Sequence, residues 1–214
     1  MTTLFLIRHG LTAVTGKTLY GRTPGIPLDD RGHTQAERLA ERFSSIRLTA
    51  VYSSPLERCM QTMEPLGASH RLKVVPRADL IEMDAGTWTN RSLAQLRRTR
   101  LWRDVMEHPS QFRFPEGESF AEALARALAG VQAIVSHHPR GRVAVGSHGD
   151  VIRMLVAHHA GAPLDLFQRT VVDAASVSVV RVGNGEPRVL LVNDDGGSLA
   201  RFAPPPRPER KLRG

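Results

Sequence analysis

The sequence has one cysteine in 214 residues and lacks any long apolar run. A single cysteine cannot form an internal disulfide, so a disulfide-stabilised scaffold is excluded. The apolar run at residues 4–7 is far too short for the core of a signal peptide. No stretch approaches the roughly 18 apolar residues that a membrane helix needs. We therefore expect a cytoplasmic protein without a membrane partner, with a hydrophobic content of 41% that suits an ordinary globular core.

Acidic residues are fewer than basic ones, at 21 against 29, which gives a formal net charge of +8. Residues 201–214 contain five basic residues, one acidic residue and four prolines, and so carry half of the excess. This composition predicts a solvated Pro/Arg-rich tail that follows a single domain of residues 1–200. The charge that remains on this domain is ordinary, so it does not by itself indicate a nucleic-acid partner.

Short apolar runs alternate with segments of helical spacing along most of the chain. The predicted strands are residues 2–7, 50–52, 72–75, 143–146, 176–182 and 188–192, and the predicted helices are residues 32–43, 93–107, 119–137 and 150–160. A Gly-Asn-Gly sequence at residues 183–185 predicts a hairpin between the last two strands. This order predicts an α/β fold with three layers (α/β/α), a mostly parallel central sheet and one antiparallel edge strand. Residues 85–120 interrupt the alternation and are predicted to form a small helical lid.

Polar residues follow three of the predicted strands. They are Arg8-His9-Gly10, the segment of residues 53–58 that ends in Arg58, and Ser147-His148-Gly149. In open α/β sheets, ligands bind beyond the carboxyl ends of the strands. Two arginines, two histidines and the starts of two helices would suit a dianionic phosphoryl group at this edge.

Arg58 and His9 each have an ordinary structural alternative. Ser54, Pro55 and Glu57 fit the N-cap, N1 and N3 positions of a capping box, which would point Arg58 back toward the sheet edge. Arg58 could equally be a surface residue of an amphipathic helix. His9 could be a packed residue, but neighbouring arginine charges would lower its pKa and favour the neutral form. Gly10 would allow close approach to a ligand, and a backbone carbonyl could hold the second ring N–H of His9.

These segments together resemble the signature blocks of the histidine phosphatase superfamily, in its phosphoglycerate mutase-like branch. The matching blocks are residues 8–12, 53–62, 80–88, 115–119 and 147–149. The resemblance covers roughly residues 3–182 and makes residues 1–200 a histidine phosphatase-like catalytic domain. Residues 21–25, 166–169, 172–181 and 193–194 are similar to an actinobacterial-type subgroup described as phosphomutases.

The resemblance implies a role for each matching position. His9 would attack phosphorus and become a phosphohistidine, while Glu82 would protonate the leaving alkoxide and then activate water. Arg8, Arg58 and His148 would complete the catalytic set by holding the phosphoryl oxygens and stabilising the charge of the transition state. Asp84 is close enough in sequence to remain an alternative proton donor. No metal or other cofactor is implied. The substrate-binding residues would be Arg8, Gly10, Thr15, Gly21, Arg22, Arg58, His148 and Gly149.

The chain departs from the family pattern at two positions. Leu11 stands where the family often has Glu or Gln, and Thr15 stands where its mutases have Asn. Thr15 can still donate a hydrogen bond. Arg22 falls where a substrate carboxylate or second phosphate would bind, although a solvated loop arginine is the alternative.

A phosphatase for a small phosphorylated metabolite is the function we expect, with no cofactor, no metal and no nucleic acid bound. A phosphoglycerate mutase-type phosphomutase is the alternative. The phosphatase is preferred because the family's mutases usually have a longer insertion over the site, whereas this chain has little beyond two helices there. The oligomeric state stays open. The exposed-looking arginines of the lid segment are either a solvated face or a rim that attracts anions. They are Arg91, Arg97, Arg98, Arg100 and Arg103.

Other classes fit the residues less well. The loop from Gly10 to Lys17 has five residues between its glycines, where a P-loop has four. Cys59 has Pro65 at the position where a cysteine phosphatase needs arginine. The paired histidines at residues 137–138 and 158–159 point to different helix faces and do not suggest a zinc site. A non-catalytic phosphate- or nucleic-acid-binding protein is the remaining alternative, although Phe202 is the tail's only aromatic residue.

Overall fold

The computed structural model describes residues 1–204, so most of the predicted tail, residues 205–214, lies outside the described residues. The strands are β1 (Thr2–Arg8), β2 (Thr18–Leu19), β3 (Ala50–Ser53), β4 (Val74–Pro76), β5 (Arg91–Ser92), β6 (Arg142–Ser147), β7 (Val177–Val182) and β8 (Arg188–Asp194). The helices are α1 (Asp30–Arg42), α2 (Glu57–His70), α3 (Leu93–Leu96), α4 (Arg100–Glu107), α5 (Phe120–His137) and α6 (Gly149–His159). The alternation read from the sequence is therefore confirmed.

The central sheet has six strands in the order β4-β3-β6-β1-β7-β8. The first four are parallel, and β7 runs antiparallel to β1. The mostly parallel sheet with an antiparallel strand is thus confirmed. The antiparallel strand lies one position in from the edge, because the predicted hairpin adds β8 outside it. The register pairs Arg8 with Ser147 and Ser53 with Gly146, so three strand ends lie level at one edge.

Strand β1 is apolar at successive positions because helices cover both faces of the sheet. Its alternate residues Leu4 and Leu6 pack with α5 and α6, whereas Phe5 and Ile7 pack with α1 and α2. This gives the predicted three layers. The ring of Phe202 also packs against that of Phe5, with centroids 5.8 Å apart, so the chain is anchored to the core beyond residue 200.

The lid segment has its own apolar cluster, formed by Trp88, Phe112, Phe114 and Phe120 with neighbours from α6. The helix predicted at residues 93–107 is two helices, because the Thr99 side chain caps α4 by accepting a hydrogen bond from the Trp102 N–H. A small antiparallel sheet joins β2 to β5 and so ties residues 18–19 to the lid. Within residues 1–204, no helix combines the length and apolar composition needed to cross a membrane.

The first two long helices begin in different ways. Asp29 caps α1, since its carboxylate accepts a 2.8 Å hydrogen bond from the Gly32 N–H. The capping box predicted for Ser54 and Glu57 is wrong. Helix α2 begins at Glu57 after Leu56, which gives no side-chain cap. The Ser54 hydroxyl instead shares a hydrogen bond with His148.

Candidate active site

The level strand ends bring His9 and His148 together, with ring centroids 5.4 Å apart. The His9 N–H donates to the Ser147 carbonyl at 3.0 Å, and the Ser54 N–H donates to the Gly146 carbonyl at 2.8 Å. These backbone bonds continue the sheet ladder past the last paired residues. The loops that follow β1, β3 and β6 are therefore held rigidly against each other.

His9 is buried, with 2% of its surface exposed. Its Nδ1 lies 2.7 Å from the Gly10 carbonyl, an acceptor, so Nδ1 carries the proton and Nε2 keeps its lone pair. Burial and then the charges of Arg58 and Arg8 lower the pKa of His9 to about 3, although the Gly10 carbonyl opposes this. The imidazole is therefore neutral at physiological pH, with a nucleophilic nitrogen available.

Arg58 is 1% exposed, which is rare for a charged side chain. Its Nη2 donates to the Gly21 carbonyl at 2.7 Å, and its guanidinium carbon lies 4.7 Å from the centre of the Tyr20 ring. The backbone of Gly21 has φ +45°, a conformation that favours glycine. The sequence therefore places a glycine where its carbonyl can orient Arg58.

Arg8 is held in a similar way, by a 2.7 Å hydrogen bond from Nη1 to the Val172 carbonyl. It also crosses the start of α6, where a Cβ on Gly149 would lie 3.3 Å from its Nε. Within residues 1–204, the buried Nε atoms of Arg8 and Arg58 have no hydrogen-bond partner. Buried donors of this kind cost stability unless an acceptor binds them, so the pair is suited to the oxygens of an anion.

His148 is fully buried and is the residue immediately before α6. Its Nε2 lies 2.8 Å from the Ser54 hydroxyl, and its Nδ1 lies 3.7 Å from Oε2 of Glu82. Burial, followed by the charge of His9, lowers the pKa of His148 well below its usual value. The structure thus places a neutral histidine between the sheet edge and a carboxyl group.

Glu82 has its pKa raised to about 7, first by burial and then by the Asp150 carboxylate, while Arg58 and Arg8 oppose the rise. Its Oε1 accepts a 3.0 Å hydrogen bond from the Met83 N–H. The carboxyl group therefore carries a proton for a large part of the time near neutral pH. This is the protonation behaviour that a general acid requires.

The loop that carries Glu82 is supported by arginines. The Arg22 Nε donates to the Glu82 carbonyl at 2.8 Å, and its Nη2 donates to Glu118 at 3.0 Å. Arg126 donates to the carbonyls of Asp79 and Ile81 and is also paired with Glu118. These bonds fix the backbone on both sides of the Glu82 side chain.

A cavity of about 360 Å³ opens at this edge of the sheet. Its polar floor contains Arg8, His9, Tyr20, Gly21, Glu82 and Gly149. Arg58 contacts Tyr20 and Gly21, and His148 contacts Glu82, so both adjoin this floor. The structure therefore brings together all five residues expected to be catalytic.

Five of the eight expected substrate ligands are not in the lining of the cavity. Arg58 and His148 adjoin its floor, whereas Gly10, Thr15 and Arg22 have other contacts. A Cβ on Gly10 would lie 2.9 Å from the Gly32 carbonyl, so this glycine permits packing against α1 and not approach to a ligand. The Thr15 hydroxyl accepts from the Thr12 N–H at 3.0 Å in a local turn. Arg22 supports the loop that carries Glu82 by donating to the Glu82 carbonyl. Each of the three has a structural role here, and its expected contact with substrate stays a prediction.

The alternative donor Asp84 does not line the cavity either. Its Oδ1 accepts a 2.9 Å hydrogen bond from the Gly86 N–H, which shapes the start of the lid. The geometry therefore favours Glu82 over Asp84 as the carboxyl group that faces the bound substrate.

Sequence reasoning missed Tyr20 and Asp150. The Tyr20 hydroxyl lies 3.5 Å from Nε2 of His9, but Tyr20 stands in a loop without periodicity, so no pattern marked it. Asp150 lines the cavity beside Glu82. Its place directly after His148-Gly149, in the first turn of a helix, was a usable signal.

Comparisons with a family model and with related sequences agree on one protein family. The histidine phosphatase superfamily (branch 1) matches residues 4–195. The chain is 29% identical over 198 residues to phosphoserine phosphatase 1 of Hydrogenobacter thermophilus. The aligned region covers 90% of this chain and 92% of the relative. The chain is also 29% identical over 187 residues to the probable phosphoglycerate mutase GpmB of Proteus mirabilis, which covers 86% of each chain.

A solved structure agrees with these relatives. Bacillus stearothermophilus YhfR matches with a TM-score of 0.84 and 28% identity, over 91% of this chain and 98% of that chain. Since the family match spans nearly the whole described chain, the protein belongs to the histidine phosphatase superfamily.

Proposed function

We propose that this protein is a metal-independent phosphatase that hydrolyses a small phosphomonoester through a phosphohistidine at His9. The observation that carries the proposal is the state of His9 at the cavity floor: its Nδ1 carries the proton, and burial with the nearby charges of Arg58 and Arg8 keeps the imidazole neutral. The phosphatase named among the relatives supports the reaction class.

In the first half of the reaction, Nε2 of His9 forms a bond to phosphorus while the ester P–O bond breaks. The leaving alkoxide takes the proton of Glu82, so that an alcohol departs. Arg8 and Arg58 hold the phosphoryl oxygens and stabilise the charge that develops on them. These two fixed cations supply the charge stabilisation that a metal ion supplies in other phosphoryl-transfer sites.

In the second half, the Glu82 carboxylate takes a proton from water, and the water oxygen attacks phosphorus. The P–N bond breaks, inorganic phosphate leaves, and His9 returns to its neutral form. Glu82 regains its proton for the next cycle. A pKa of about 7 lets one carboxyl group serve as acid and then as base at neutral pH.

Phosphate release is favoured over transfer within the substrate because the lid consists of two short helices, α3 and α4, of four and eight residues. A mutase must shield the phosphohistidine from water while a substrate turns around. The relative named as a probable phosphoglycerate mutase keeps phosphate transfer as the second candidate.

The test is to mix the full chain with labelled phosphomonoesters, quench it, and measure label on the protein, in inorganic phosphate and in rearranged substrate. We expect an acid-labile phosphoenzyme and released phosphate, both absent in His9→Ala. His33→Ala is the matched control, because His33 is exposed on α1. Label retained by His9→Ala would refute the nucleophile, and label in rearranged substrate would select the mutase.

A further inference from the structure

Beyond the polar floor, the cavity changes character. Its outer wall is formed by Leu93, Trp102, Val105, Met106, Phe114 and Phe120. Among the polar residues beside this wall, Gln168 donates to the Val105 carbonyl at 2.8 Å and Asp150 pairs with Arg153 at 3.0 Å. The buried Nε of Arg153 has no hydrogen-bond partner within residues 1–204. A hydroxyl-rich substrate would leave its own polar groups unsatisfied against such a wall, which is costly.

A second hollow adjoins this wall. We call it the Arg groove; it is lined by Arg97, Arg98, Arg100 and Arg103 with Trp102 and Met106. The groove and the cavity share three residues, Arg97, Trp102 and Met106, so the two hollows adjoin at these side chains. The Arg groove therefore lies beside the cavity that contains His9.

The arginines of the groove are not used by the fold. Among residues 1–204, none of the four forms an ion pair, whereas Arg22, Arg113 and Arg126 each pair with a glutamate. Arg100 is also the first residue of α4, where a positive charge opposes the helix dipole. Four cations gathered in one hollow repel each other, and a bound anion would relieve that repulsion.

We propose that the substrate is an elongated phosphomonoester with an apolar middle and a second anionic group at its far end. The phosphate binds at the floor, the apolar middle lies along the outer wall, and the distal anion lies in the Arg groove. This inference rests on the proposed phosphatase function. It disfavours a short substrate such as phosphoserine, whose carboxylate and phosphate would both remain at the floor.

Three synthetic esters test each part of this binding mode: ethyl phosphate, octyl phosphate, and octyl phosphate with a carboxylate on its terminal carbon. We expect kcat/KM of the full chain to rise from ethyl to octyl phosphate by about two- to fourfold per methylene until the wall is filled. The terminal carboxylate should raise kcat/KM a further tenfold or so at low salt, and this gain should fall at high salt.

The deciding variant is Arg98→Gln/Arg100→Gln/Arg103→Gln. We expect the ratio of kcat/KM for the carboxylated ester to that for octyl phosphate to fall about tenfold. The control Arg38→Gln/Arg47→Gln/Arg188→Gln removes three exposed arginines elsewhere and should keep this ratio. The charge reversal Arg103→Glu gives a second, smaller reduction of the same ratio.

Each failure points to a different error. A ratio that is equal in the wild type and both triple variants would overturn the Arg groove as the distal site. The same loss in both triple variants would mean that overall charge, and not the groove, attracts the ester. Ethyl phosphate hydrolysed as well as octyl phosphate would refute the apolar middle. If the wild type released no phosphate even from p-nitrophenyl phosphate, the phosphatase function itself would be wrong.

Discussion

The cavity floor and the lid hold their arginines under opposite conditions. Arg58 lies close to His9 with 1% of its surface exposed and is fixed by a carbonyl and an aromatic ring. Arg103 lies on the lid, exposed, without an ion-pair partner among the described residues. Water and salt screen a buried charge little, so it interacts strongly with a group held at a fixed position. They screen an exposed, mobile charge much more, so its attraction for an anion is weaker and less localised. The floor is therefore suited to chemistry and the lid to selection.

The largest effect in this comparison should come from the buried acid. We expect Glu82→Gln to lower kcat/KM for octyl phosphate by about 10²–10⁴-fold, because the alkoxide leaves without a proton. The loss for p-nitrophenyl phosphate should be below about tenfold, since its leaving group needs little protonation. Asp84→Asn is the matched control and should show neither pattern. Equal losses on both esters in Glu82→Gln would move the acid role to another residue.

Arg58→Met should lower kcat/KM for every phosphomonoester by about 10²–10³-fold, as expected for loss of one fixed charge donor. The same change should raise the melting temperature by roughly 2–6 °C, because it removes a buried charge and fills its volume with an apolar chain. Calorimetry and steady-state kinetics measure the two effects. Arg38→Met, at an exposed position of α1, should change neither kcat/KM nor the melting temperature. A lowered melting temperature would show that Arg58 stabilises the fold.

The pH dependence of kcat/KM should depend on the floor and not on the lid, with a change of about tenfold per pH unit. Glu82 holds its proton up to a pKa of about 7, so the protonated fraction falls as pH rises above this value. We expect kcat/KM for octyl phosphate to fall above about pH 7, and this limb to be absent in Glu82→Gln. The triple variant of the Arg groove should retain the limb. A limb that persists in Glu82→Gln belongs to another group.

The smallest effect should come from the lid. Trp102 stacks on Trp88 with ring planes 15° apart and also lines the cavity. We expect Trp102→Ala to raise KM for octyl phosphate about fivefold with little change in kcat, because it removes apolar contact without touching the floor. Leu101→Ala changes an exposed residue of the same helix and is the control. A large fall in kcat would mean that the lid helps to form the floor.

The positions of His9, Arg8 and His148 could be predicted because they directly follow strands, and parallel strands end at one edge of the sheet. Arg58 could be predicted because a side chain in the first turn of a helix leans back toward that edge. Each of these inferences needs only local sequence and the order of the strands. Glu82 does not follow from this logic, because only the resemblance of residues 80–88 to a family block implied its role, and the residues that raise its pKa were not predicted.

The failures depend on partners that are distant in the chain. Ser54 has the composition of a helix cap, but His148 lies 94 residues away and takes its hydroxyl. Arg22 was expected to bind substrate, yet Glu82 and Glu118 use it for support. Tyr20 reaches His9 only because its loop folds over the floor. Such contacts follow from tertiary packing, which no spacing in the sequence reports.

The small sheet between β2 and β5 has a consequence for how such a lid can be exchanged between proteins. Backbone hydrogen bonds join Asn90 to Leu19 and Leu93 to Lys17, immediately beside Tyr20. A chimaera that replaced only residues 85–120 would remove the partner of β2 and release the loop that orients Arg58. Recombination or grafting must therefore carry residues 17–21 together with the lid. Two segments that are far apart in the chain would have to be inherited together for the lid to keep its support.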